Sequence, residues 1–190
     1  MELVFSLALG IGLSAACGFR VFVPLLVVSA AARGGLLMLA PGFEWMGSYP
    51  ALLTFAVATV VEILAYFIPW VDNALDTLAV PAAVVAGTVI TASVIIGIDP
   101  WLQWTLAVIA GGGTAGLVQG ATTALRAMST AVTGGFGNFL VSTAEMLGSF
   151  LTSFIAIFFP LVAVALVVVV LIILFGQRRR LVRSNPSPAP

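Results

Sequence analysis

Long apolar runs, separated by short breaks rich in Gly and Pro or carrying charge, dominate this chain. Residues 3–32 form the first run, and Pro24 predicts a bend within it. The stretch RGGLLMLAPGFEWMGSYP follows, a loop whose Trp45 and Tyr49 suit a membrane–water interface. Residues 51–68 are the second run, closed by Pro69 and Trp70, and residues 72–98 are the third, polar at its start. The turn Asp99-Pro100-Trp101 leads into residues 102–130, a fourth run rich in Gly and Ala that VTGGFGN interrupts. A hydrocarbon core of ~30 Å takes about 20 residues of helix, so each run predicts a spanning helix. Residues 138–175 would reach ~57 Å as a single helix, nearly twice that thickness. A turn at Phe158, Phe159 and Pro160 divides them. The pattern therefore predicts an all-α, polytopic transmembrane bundle of about six spans, with five spans or a re-entrant segment as the alternative.

Composition narrows the class. Apolar residues make up 62% of the 190 positions and charged residues 7%, against roughly a quarter charged in a soluble domain. Lys and His are absent, and the net charge is zero, which argues against a nucleic-acid partner. Cys17 is the only cysteine, so neither an internal disulfide nor a multi-cysteine metal site can form, and a small packing role is expected. LSAACG lacks a basic segment before it and continues as apolar sequence, so no cleaved signal is expected. Arg178, Arg179, Arg180 and Arg183 predict a cytoplasmic stop after the last span. With six spans, both termini then lie in the cytoplasm. Residues 1–177 read as one transmembrane domain, and 178–190 as a basic stop-transfer segment with a disordered tail.

The few charges inside the apolar runs are the candidate chemistry. A charge at a helix centre costs ~2.5–3.5 kcal/mol on insertion scales, so four unpaired ones would cost on the order of 10 kcal/mol. Pairing or hydration is expected. On the predicted topology, Arg20 and Glu62 meet at mid-membrane depth. Arg126 and Glu145 share a depth nearer the cytoplasm, close to Asp72 and Asp76. Glu62 and Pro69 lie two turns apart on one helix face, and Asp72 and Asp76 share a face of the next helix. The stretch VEILAYFIPWVDNALD thus reads as a hairpin presenting Glu62 in the membrane and two carboxylates at its mouth. Carboxylates at a helix start also suit the macrodipole and can simply be solvated.

Gly112, Gly116 and Gly120 recur at four-residue spacing, a ridge suited to close helix packing. Residues 8–20 align without gaps on residues 114–126, matching Gly10 with Gly116, Ala15 with Ala121 and Arg20 with Arg126. Each Arg-bearing span is followed by one with a glutamate, the arrangement of a 3+3 inverted repeat. No nucleotide-binding loop, Ser/His pair or cofactor motif occurs. An enzyme is not expected; Asp72, Asp76 and Glu145 could hold a divalent ion, but no Lys accompanies them to bind phosphate.

Three blocks, GLSAACGFRVFVPLL, VEILAYFIPWVDNALDTLAVPAA and GATTALRAMSTAVTGGFGNFLVSTAEM, resemble the bacterial membrane family catalogued as domain of unknown function 4126. The resemblance rests on Glu62, Ile68, Pro69, Asp72, Asp76, Arg126, Asn138, Ser142 and Glu145. It departs at Phe67, where many relatives have Lys, at Met146, where many have an acid, and at TGGFG, which replaces a Ser-Pro-Glu-Pro-like turn. It implies a multi-pass protein of the bacterial inner membrane. The expected function is that of a permease or channel-like transporter of a small solute or ion, with a homodimer as one form. Arg20, Glu62, Arg126 and Glu145 are the expected charge pairs, and Asp72, Asp76 and Asn138 the vestibule. The alternative is a structural or assembly protein whose buried charges fix helix packing.

Overall fold

The first apolar run does not form a single helix. It gives α1 (Glu2–Cys17) and α2 (Phe22–Arg33), separated by a break at residues 18–21. Pro24 explains the break without being its site. In a continuous helix its ring would clash with the Arg20 carbonyl four residues earlier. In α2 it sits in the first turn, where its missing N–H is not needed. The expected bend at Pro24 is thus a full interruption just before it.

The computed structural model describes the backbone of residues 2–66 and 68–183, and the side chains of these except 69–77, 171 and 173–183. All regular structure among the described residues is helical. A 3₁₀ turn (Glu44–Gly47) precedes α3 (Tyr49–Ala65) and α4 (Pro69–Val94). Then α5 (Pro100–Leu106) passes through a π-helical segment (Ala107–Gly112) into α6 (Gly113–Thr133). Asp99 caps α5 by accepting the Trp101 N–H at 2.9 Å. Gly134, with φ of 64°, ends α6 in the left-handed conformation that glycine adopts freely. The last two helices, α7 (Asn138–Phe158) and α8 (Pro160–Arg183), divide at Phe159, as the Phe-Phe-Pro sequence predicts. Helix α8 runs on through the four clustered arginines; residues 184–190, the expected disordered tail, lie outside the described residues.

Helix α1 is the centre of the bundle, packed by α4, α6, α7 and α8. Its small residues permit this. A Cβ on Gly12 would lie 2.8 Å from both Ala156 and Ala163, and one on Gly10 2.8 Å from Thr91 Cγ2. Ser14 donates to the Gly87 carbonyl at 2.7 Å and lies 2.7 Å from Thr91 Oγ1, satisfying polar groups in the same crossing. The predicted ridge is only partly a packing surface. Gly112 and Gly116 face α4, where an added Cβ would meet Thr88 and Val84, whereas Gly120 faces open space. Gly111, outside the predicted series, makes the tightest approach of this helix to α4, against Thr91 and the Gly87 carbonyl.

Polarity is arranged inside out. On α7 the buried face is Ser142, Glu145, Ser149, Ser153 and Ala156, while Leu140, Leu147, Leu151 and Phe154 are exposed. On α3 the exposed positions include Leu53, Val57, Val60, Val61 and Leu64. Among the described residues, one helix, Asn138–Phe158, is by itself long and apolar enough to cross a membrane.

Candidate functional site: a charge cluster at a helix break

Four elements converge on the break between α1 and α2. Arg20 lies in the break and is 2% exposed, Arg126 on α6 is 1% exposed, and Glu145 on α7 is 4% exposed. Arg126 donates from Nε to Glu145 Oε1 at 3.0 Å, and its Nη2 bonds Oε2. This is a fork-on-fork pair of the kind a planar guanidinium makes best. Arg20 Nη2 lies 3.4 Å from the same Oε2 and donates to the Ser142 carbonyl at 3.0 Å. One carboxylate therefore serves two buried guanidiniums. Tyr66, at the end of α3, places its ring centre 3.8 Å from Arg20 Cζ and 4.2 Å from Arg126 Cζ. Both cations gain from the ring face.

Glu62, one turn before Tyr66, plays a different part. Its Oε1 accepts the Val21 N–H at 2.8 Å and its Oε2 the Phe22 N–H at 3.0 Å. The start of α2 thus borrows its cap from α3. Orphan N–H groups and the positive end of the helix dipole both favour a carboxylate there. The sequence placed Arg20 with Glu62 and Arg126 with Glu145 at two depths. The structure keeps Arg126 on Glu145 but gathers all four residues at one site, with Arg20 paired to Glu145 rather than to Glu62. The reason is the break, which turns Arg20 toward α7 and leaves the N–H groups of Val21 and Phe22 for Glu62.

The Arg20 Nε and Nη1 and the Ser142 hydroxyl are buried and find no hydrogen-bond partner among the described residues. Two further contacts hold the site in place. Ser149 donates to the Ala16 carbonyl at 2.9 Å, tying α7 to the last turn of α1. Gly18 lets the break press on α6, since a Cβ there would lie 2.5 Å from Val118 Cβ and 2.7 Å from the Ala115 carbonyl oxygen.

A family model described as domain of unknown function (DUF4126) matches residues 7–180. This chain belongs to that family. No curated protein and no solved structure matches it.

In this DUF4126 chain, the motif positions Glu62, Arg126, Ser142 and Glu145 meet in the cluster. Asn138 stands apart, two helical turns or ~10 Å from Glu145 along α7. It donates from Nδ2 to Thr130 Oγ1 at 3.0 Å across the α6–α7 turn, and its buried Oδ1 has no partner among the described residues. The side chains of Asp72 and Asp76, expected as a vestibule, lie outside the described residues, as does Phe67. Sequence reasoning missed Tyr66, although its place four residues after Glu62 puts both on one helix face. It also missed Gly18 and Ser149, which carry no distinguishing pattern among so many small residues.

Beside Glu62 lies a cavity of about 700 Å³ between α2, α3 and α4, with Glu62 and Tyr66 as its polar end. Among the described residues its walls are otherwise apolar but for Thr54. Helix α3 packs on α2 and the 3₁₀ turn, and makes little or no contact with α4 among the described residues, which leaves this space open.

Proposed function

We propose that this DUF4126 chain is a multi-pass membrane protein of about six spans. Its work is that of a permease or channel-like transporter of a small solute or ion, centred on the break at Arg20. The apolar exterior and the serine-lined interior support membrane insertion, because lipid inverts the usual distribution of polarity. A discontinuous helix carrying charge inside an apolar bundle is also how many transporters build a site. The inner bacterial membrane, termini on the cytoplasmic side and two related halves belong to the same proposal. Arg20 and Arg126 both turn to Glu145, although one sits in a break and the other inside a helix.

The unpartnered edge of Arg20 carries this reading. A buried donor left unsatisfied costs ~1–3 kcal/mol, and more when charged. Two such guanidinium donors beside a serine hydroxyl, all without a partner among the described residues, suit a site that water or a polar solute enters. In this mechanism Arg126 and Glu145 are the fixed clamp. Arg20 and Glu62 are the groups that meet the solute or ion, and movement of α2 on its Glu62 cap opens or closes the path. One observation favours the structural alternative. Glu145 is held by both arginines and Glu62 by two N–H groups, so neither carboxylate lacks partners.

Purified protein in sealed vesicles with an enclosed ion-sensitive dye separates the two readings. A transporter gives ion or proton flux above empty vesicles, lowered about tenfold by Glu62→Gln. A scaffold gives no flux in either form.

A further inference from the structure

The space beside Glu62 continues into a second apolar cavity of about 570 Å³ that reaches Trp45 and Met46. The two share Val21, Phe22, Leu78 and Ala82, and so form one trough. From Leu78 to Val89 along α4 it runs ~16 Å. One leaflet of a ~30 Å hydrocarbon core is ~15 Å thick, so the trough matches one acyl chain in length. Its lips, Leu53, Val57, Leu78 and Val85, are exposed, so a chain can enter from the side. Glu62 lies one turn from the end of α3, ~20 Å along the helix from Tyr49 and the interfacial loop.

We propose that this trough binds one acyl chain of a bilayer phospholipid whose headgroup carries a primary amine, with the ammonium on the Glu62 carboxylate. The groups that meet the trough select the headgroup. Glu62 lines it with its carboxylate, while Arg20 is buried, does not line it, and is covered by Tyr66. An anionic headgroup would therefore face a carboxylate before it could reach a cation. Glu62 spends one acceptor direction per oxygen on α2 and keeps others for donors. A primary ammonium supplies three N–H donors, whereas a quaternary one supplies none. This inference rests on the proposed membrane insertion, and does not require transport.

The test is native mass spectrometry of the delipidated full-length protein in mild detergent. It is offered ethanolamine, choline and glycerol phospholipids with identical chains. The ethanolamine lipid is expected to be retained about tenfold over the choline lipid, the scale of one charge-assisted hydrogen bond. Ala82→Phe, at an exposed position in both cavities, should fill the trough without disturbing the core and release all three lipids. Glu62→Gln should keep chain binding and lose the preference. Should that variant unfold, the wild type and Ala82→Phe still decide. Equal retention of the three lipids by the wild type, preference for the anionic lipid, or wild-type retention by Ala82→Phe would overturn the proposal. Those results leave the flux measurement free to support transport.

Discussion

Glu145 carries more of this site than any other side chain, because two buried guanidiniums share it. Removing one partner of a buried ion pair costs ~3–5 kcal/mol, since the survivor stays desolvated and uncompensated. Glu145→Leu takes a common carboxylate from both Arg20 and Arg126, whereas Arg126→Leu leaves Glu145 still facing Arg20. Thermal unfolding in detergent should rank Glu145→Leu well below Arg126→Leu. An equal loss would mean that Arg20 draws nothing from Glu145. Glu62 acts by capping, so its truncation is a smaller matter for stability. Glu62→Ala strips α2 of both cap bonds and should cost ~1–2 kcal/mol, and Glu62→Gln, which keeps an acceptor oxygen, should cost less. The same melts check that order.

At the scale of helices, the glycines separate packing from spacing. A Cβ on Gly111 would meet Thr91 and lie 2.5 Å from the Gly87 carbonyl oxygen, which cannot rotate away. Gly111→Ala should destabilise by ~1–3 kcal/mol, as overpacking does. Gly120 has no neighbour within 4 Å among the described residues, so Gly120→Ala should raise stability by ~0.4–1 kcal/mol through helix propensity and chain entropy. A melting series of the two variants tests the contrast, and Gly120→Ala losing stability would place Gly120 against a partner. These elements also show what was legible in advance. The splits at Phe159 and near the TGGFG turn could be read from Pro and Gly, because those residues act on their own backbone. The break before α2 could not, because Pro24 pointed to a bend and only the carboxylate of another helix makes a full interruption tolerable. The expected pairing of Arg20 with Glu62 missed for the same reason: the interruption at residues 18–21 turns Arg20 toward Glu145. The four charged residues were identifiable because charge is rare here, and so was the Arg126–Glu145 pair, but the partners of Arg20 and Glu62 depended on tertiary geometry.

Taken whole, the molecule pairs an apolar exterior with a core that buries Arg20, Arg126, Glu145 and a series of serines and threonines among its apolar residues. A protein so arranged should remain in the membrane pellet through an alkaline carbonate wash and leave it only with detergent. Release by carbonate would contradict the inserted bundle. The larger question is whether its polar centre is wet. Ser142 offers a direct probe, since its buried hydroxyl has no partner among the described residues and a cysteine there changes little but one atom. The decisive measurement is labelling of Ser142→Cys, in a Cys17→Ala background, by a membrane-impermeant charged thiol reagent added to each face of sealed vesicles. A path to the break predicts labelling from at least one face, altered when Glu62→Gln loosens the start of α2. A folded variant that stays unlabelled from both faces, while a cysteine in the 34–48 loop reacts, would contradict the transporter account and leave the cluster as a dry clamp between helices.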